Sequence, residues 1–259
     1  MKKLVLKRLI TIVEGGTILL QFPEKILSAR AEALRNIETT LKKIDEIAEY
    51  NTISVLDAFR EYQISDYHFS GSTGYGYGDT GRDALDKVWA RICKAEKALY
   101  RTQFVSGTHA LSTVLFGILR PGDMLLSVTG LPYDTMQTVI GHPVPVPGSL
   151  HEFGITFKEI PMNTEGVNLP AITKYIDNKT RMVLIQRSRG YSMRKPLSVQ
   201  DIAAICTHIK KIKPDCICFV DNCYGEFVET AEPTAVGADI MAGSLIKNPG
   251  GGLAPTGGY

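Results

Sequence analysis

The sequence predicts an α/β fold built on a doubly wound, mostly parallel sheet, with a helical segment on its N-terminal side. Two observations predict it. From residue 102 onward, short and nearly continuous apolar runs alternate with helical stretches. Strands of that kind are buried on both faces, which is the habit of a parallel sheet covered by helices. The second observation is size and composition. The chain has 259 residues, 44% hydrophobic and 22% charged, enough apolar surface for one large domain or one and a half. Right-handed crossovers then favour an open sheet.

Residues 1–21 form an unassigned leader that does not share this texture. It starts basic and turns apolar, like a secretion signal. However, Lys7, Arg8 and Glu14 interrupt it, and no small-residue cleavage site follows. No window approaches the ~18 uncharged apolar residues of a membrane span. A cytoplasmic protein is therefore expected.

Residues 22–100 read as a helical segment with a glycine-rich loop. Ile26, Leu27, Ala33, Leu34, Ile37, Leu41, Ile44 and Ile47 recur at spacings of three and four among charges, which predicts a helix over 23–50. Pro23 suits its first turn. A second helix is expected over 53–62. Five glycines within residues 69–82 exclude regular structure there. Asp83 then opens a helix through Leu99 that carries the only tryptophan, Trp89.

Residues 101–259 carry the sheet. A helix is expected over 108–119, ended by Pro121 and Gly122. Strands are expected at 124–129, 155–160, 181–186, 216–221 and 238–244, with a helix at 198–212. The chain reaches Tyr259 just after a glycine-rich turn, which suggests a longer architecture. The net charge of +2 projects no field toward nucleic acid or anionic lipid. Of the five cysteines, Cys206, Cys216, Cys218 and Cys223 lie in apolar, strand-like sequence without C-x2-C pairs. Reduced buried thiols are expected there, and no metal site.

Ligands of open α/β sheets bind beyond the carboxyl ends of the strands. Four features fall at such ends. Ser106-Gly107-Thr108 opens a helix, where backbone N–H groups and the helix dipole suit an anion, although a plain tight turn would look the same. Asp221 follows five apolar residues and needs a partner; it either caps a turn or holds a protonated ring nitrogen. Ser244 and Lys247, in SLIK, follow the last strand, where partial burial would lower the lysine pKa and make its amine a nucleophile. A solvated loop lysine is the plain alternative. Tyr133, just past the strand at 124–129, either packs or stacks on a planar ligand. Together, in this order, the four meet the needs of pyridoxal 5'-phosphate: an anion cradle, a stacking face, an acid for the ring nitrogen and an amine for the aldehyde.

The stretches FSGSTGYGYGDTGRDALDKVWA, QFVSGTHALSTVLFGILRPGD, TGLPYDT, FVDNCYGEFVE and SLIKNPGGGLAPTGGY resemble the aluminium-resistance, or methionine gamma-lyase-like, family. This is a branch of the cystathionine-metabolism group of fold-type I pyridoxal phosphate enzymes. The resemblance covers about residues 22–259. It implies a carbon–sulfur lyase that eliminates a thiol from a sulfur-containing amino acid. Lys247 would carry the cofactor as an aldimine and act as general base. Asp221 would pair with the pyridinium nitrogen. Gly107, Thr108 and Ser244 would hold the phosphate, and Tyr133 would stack and serve as acid or base. Tyr75 and Tyr77, with Arg82 as a further candidate, would reach the phosphate of a neighbouring subunit. Arg189, together with Arg187, would orient cofactor or substrate.

The wider group has a tyrosine-x-arginine pair where this chain has Tyr75-Gly76-Tyr77. The resemblance also implies a homodimer or homotetramer acting on a small amino acid, with no nucleic-acid or membrane partner. Family members continue past the equivalent of Tyr259 into the rest of the large domain and a C-terminal domain. Two other readings stay open: a different fold-type I activity, such as an aldolase or aminotransferase, and a fragment that binds cofactor without turnover.

Overall fold

The computed structural model of the chain describes residues 10–12, 18–20, 22–71, 75, 77–163 and 166–259. Most of the leader at 1–21 and part of the glycine-rich stretch, Ser72–Gly74 and Gly76, lie outside the described residues. Two compact units are present, Met1–Glu49 and Tyr50–Tyr259. In the first, β1 (Ile10–Ile12) pairs antiparallel with β2 (Ile18–Leu20). Helix α1 (Glu24–Glu61) starts in this unit and continues into the second. It is one helix where the apolar spacing suggests two. Between Glu24 and Glu61 there is neither glycine nor proline, and without a breaker the hydrogen-bond ladder runs on through Asn51 and Thr52.

Helix α2 (Thr80–Cys93) begins three residues before Asp83 because Asp79 caps it, accepting from the Arg82 N–H at 3.0 Å. It ends at Lys94, held left-handed at φ 53°, so the good helix formers Ala95, Glu96 and Lys97 are excluded. Tertiary packing outweighs propensity here. The turn at Lys94 sends the chain back so that Tyr100 meets Trp89 at 5.0 Å between ring centroids.

The remaining elements alternate. They are α3 (Gly107–Ile118), β3 (Met124–Ser127), α4 (Asp134–Ile140), β4 (Thr156–Glu159), α5 (Leu169–Tyr175), β5 (Thr180–Gln186), α6 (Val199–Ile212), β6 (Ile217–Asp221) and β7 (Ile240–Ala242). The strands form one parallel sheet in the order β4-β3-β5-β6-β7. Both faces are covered, as the strand texture predicts. Successive side chains point to opposite faces, so Val183, Ile185, Cys218 and Val220 enter one core with Ile172 of α5 and Ile202, Ile205 and Ile209 of α6. Met182, Leu184 and Phe219 enter the other, with Leu111 and Leu115 of α3 and Met136 and Ile140 of α4.

A third, smaller core holds Trp89, Cys93, Leu245 and Tyr259. Here Tyr259 and Gly243 exchange both backbone hydrogen bonds at 3.2 Å, and Gly258 and Arg101 do the same at 3.0 and 2.9 Å. All five cysteines are free and buried. Among the described residues, no helix is long and apolar enough to cross a membrane.

Candidate active site

Strand register builds the site. Asp221 ends β6 and is paired with Ala242, the last residue of β7, so the two strands finish level. Ser244 lies two residues past that end and Lys247 five. The start of α3 closes the third side. A Cβ placed on Gly107 would lie 2.9 Å from the Ser244 Cβ and 3.3 Å from the Cys223 Sγ, so only glycine permits this approach. Ser106 caps α3 by accepting from the His109 N–H at 3.2 Å. The first-turn hydroxyls of α3 and α4 also meet, with Thr108 Oγ1 and Thr135 Oγ1 3.5 Å apart. Tyr133 stands immediately before α4. Gly107, Thr108, Tyr133, Asp221, Ser244 and Lys247 therefore gather at the carboxyl end of the sheet.

Asp221 is 3% exposed and Ser244 2%. Burial pushes the Asp221 carboxyl above its ordinary range; its hydrogen bonds from Cys223, including the N–H at 3.1 Å, and the Lys247 charge pull it back part of the way. Tyr133 is held strongly neutral, first by burial and then by the Asp221 charge. Lys247 departs from expectation. Burial does lower its amine, but the opposing pull of Cys223 and Asp221 is greater, and the net shift is upward. Lys247 Nζ lies 4.2 Å from the centroid of the Tyr224 ring, a face that favours its ammonium form.

Other expected residues stand apart from this cluster. Tyr75 and Tyr77 are 84% and 88% exposed. Arg82 pairs with its own cap, Asp79, at 3.0 Å. The Arg187 guanidinium is buried on Asn222 at 2.8 Å, Glu229 at 2.8 Å and Glu232 at 3.3 Å, so its donors are already engaged. Arg189 is exposed and lines two cavities, one of about 640 Å³ beside Tyr224 and one of about 480 Å³ beside Tyr133.

Two neighbours of Asp221 were not among the candidates: Cys223, packed between Gly107 and Lys247, and Tyr224, held at φ 68°. A non-glycine residue in that backbone region is a signal of a functional turn, but sequence does not display it.

A methionine gamma-lyase family profile matches residues 26–259, nearly the whole described chain. The chain belongs to the methionine gamma-lyase family. Within and around that family, a solved carbon–sulfur lyase involved in aluminium resistance, from Clostridium novyi, is 48% identical with a TM-score of 0.87. It covers all of this chain, which in turn covers 59% of it. Protein YnbB of Bacillus subtilis, itself uncharacterized, is 49% identical over 220 residues, 84% of this chain and 52% of that protein. A candidate O-acetylhomoserine (thiol)-lyase from Campylobacter jejuni, solved with pyridoxyl-lysine monophosphate, shares the fold at a TM-score of 0.53. It is 24% identical and covers 69% of this chain and 39% of its own. This methionine gamma-lyase family chain thus spans 52% of the length of YnbB and 59% of that of the Clostridium novyi protein.

Proposed function

We propose that this chain is the cofactor-binding core of a pyridoxal phosphate-dependent carbon–sulfur lyase that removes a thiol from a sulfur-containing amino acid. The observation that carries the reading is the level finish of β6 and β7, which sets a buried acid one strand from a half-buried lysine. The residues fit the group. A buried carboxyl with no arginine or histidine on it suits a protonated ring nitrogen. The Gly107 cradle against Ser244 suits a phosphate, because a Cβ would close it.

When bound, pyridoxal phosphate supplies an electron sink for a carbanion at the substrate α-carbon. Asp221 keeps the ring nitrogen protonated and so keeps the sink effective. Backbone N–H groups of Gly107 and Thr108, at the α3 N-terminus, and the Ser244 hydroxyl hold the phosphate. Lys247 Nζ would be the amine that holds the group's aldehyde and, once freed by the substrate amine, the base that takes the α-proton. Tyr133 would stack on the ring, and its neutral phenol would be the acid available to the departing sulfur. Tyr75 and Tyr77 reach the phosphate of a second subunit in a homodimer or homotetramer, and Arg189 orients cofactor or substrate.

The test is direct. Pyridoxal phosphate added to the protein should produce a visible absorbance band that Lys247→Ala abolishes while circular dichroism stays unchanged. Thioether amino acids should then release a thiol and a keto acid. A band without release favours a binding fragment, amino transfer to an added keto acid favours an aminotransferase, and an undiminished band in Lys247→Ala overturns the reading.

A further inference from the structure

Behind the strand ends lies a buried polar cluster that the chemistry above does not use. Glu226 is 1% exposed. Its Oε1 accepts from the Tyr259 hydroxyl at 2.7 Å, and its Oε2 has no hydrogen-bond partner among the described residues. The Tyr259 oxygen in turn accepts from Asn222 Nδ2 at 3.2 Å. Donors therefore run one way, from Asn222 through Tyr259 to a carboxyl, and Asn222 directly follows Asp221. The same amide is held on its other sides, donating to Glu232 Oε2 at 2.9 Å and accepting from Arg187 at 2.8 Å. Nothing there is slack. A Cβ on Gly243, the residue before Ser244, would strike both the Tyr259 hydroxyl and Glu226 Oε1.

We propose that Glu226 is a positioning residue, whose proton sets the state of the Asn222–Tyr259 chain and the charge that Asp221 meets. The proposal rests on the cofactor reading only for its consequence at Lys247. The acids and thiols that share its field are Glu232, Asp221, Tyr259 and Cys223, with Cys93 of α2 and Tyr100 beyond it. Arg187, which donates to Asn222 in the same cluster, is already bound by Glu229 and Glu232. Burial, helped by the charges of Glu232 and Asp221, pushes Glu226 up to about 7, against the pull of its bond from Tyr259. Ionised, it is the terminal acceptor that locks Tyr259 and Asn222, and it adds negative charge beside Asp221. Protonated, it withdraws both.

Trp89 reports on this without any cofactor. It is the only tryptophan, and its ring centroid lies 4.8 Å from that of Tyr259. Tryptophan fluorescence of the cofactor-free protein should titrate with a midpoint near about 7, and Glu226→Gln, which cannot ionise, should remove that step. With pyridoxal phosphate bound, the pH midpoint of the visible band should fall by about half a unit in Glu226→Gln, because a nearby anion is gone. Tyr259→Phe, which cuts the chain but leaves the carboxyl, should keep a fluorescence step, and it carries the test if Glu226→Gln does not fold. A wild type without a step, a step that survives Glu226→Gln, or an unmoved band midpoint overturns the proposal. If the wild type forms no band at all, the cofactor reading fails, and Glu226 is judged on fluorescence alone.

Discussion

Glu226 also makes a quantitative prediction about folding. Its rise from an ordinary 4.5 to about 7 means that the folded protein holds this proton after the unfolded chain has released it. Between about pH 4.5 and about pH 7 the folded state therefore binds more protons, and stability must fall as pH rises. The contribution is fully present below 4.5 and lost by the time pH passes about 7. At about 1.4 kcal/mol per pH unit, the loss is about 3 kcal/mol. Glu226→Gln lacks this slope. It keeps an oxygen for Tyr259 but places an amide N–H where Oε2 had no partner, a pH-independent penalty of about 1–3 kcal/mol. Urea denaturation at several pH values should thus find the variant less stable near pH 5 and the gap closing by pH 8. Asp221 and Glu232 are raised as well and slope the same way, but both proteins carry them, so the difference isolates Glu226. Parallel stability curves for the two proteins would refute the reasoning.

Three further outcomes follow from other contacts. Gly107→Ala should cost about 1–3 kcal/mol in denaturant melts by overpacking against Ser244 and Cys223, and should weaken pyridoxal phosphate binding in a titration; wild-type affinity would remove Gly107 from the cradle. Arg187→Ala leaves Glu232 buried without its cation and should lower unfolding free energy by about 3–5 kcal/mol, a loss that a calorimetric Tm would register. Asp221→Asn should lower the pKa of Lys247 in the cofactor-free protein, because it removes one of the charges holding the ammonium; the pH profile of Lys247 labelling by an amine reagent checks the direction.

The strands and the doubly wound arrangement were legible because a strand buried on both faces leaves an uninterrupted apolar run, as RMVLIQ does. Helices α4 and α5 were not foreseen. Each has seven residues, too few for a 3.6-residue period to declare itself, and each is fixed instead by local chemistry: Asn168 accepting from the Ala171 N–H at 3.0 Å, and Gly141 ending α4 at φ 77°. The join of two expected helices into α1 was missed because polar residues such as Asn51 and Thr52 look like a break but lack the geometry of one. At the site, residues at strand ends could be read from the ends themselves. Glu226 could not, because its carboxyl is raised by burial in a cluster whose other members, such as Tyr259, lie as far as 33 positions away in sequence. The direction of the Lys247 shift failed for a related reason. Burial is foreseeable from apolar neighbours, but the acids across a strand boundary are not.

That reversal bears on how the amine becomes reactive. In the chain as described, Lys247 faces Asp221 and Tyr224, and both favour its ammonium form. An ammonium has no lone pair to offer an aldehyde. Asp221, for its part, is buried and makes no salt bridge among the described residues, so its charge is poorly compensated. A ring nitrogen carrying a proton answers the second need and removes the first. Once Asp221 is paired with it, one of the attractions that hold the ammonium, beside that of Cys223, is neutralised, and burial, which already acts to lower the amine, weighs more. Under the proposed function the nucleophile would be made by arrival of the cofactor, and the raised lysine of the free chain would be the counterpart of the buried acid.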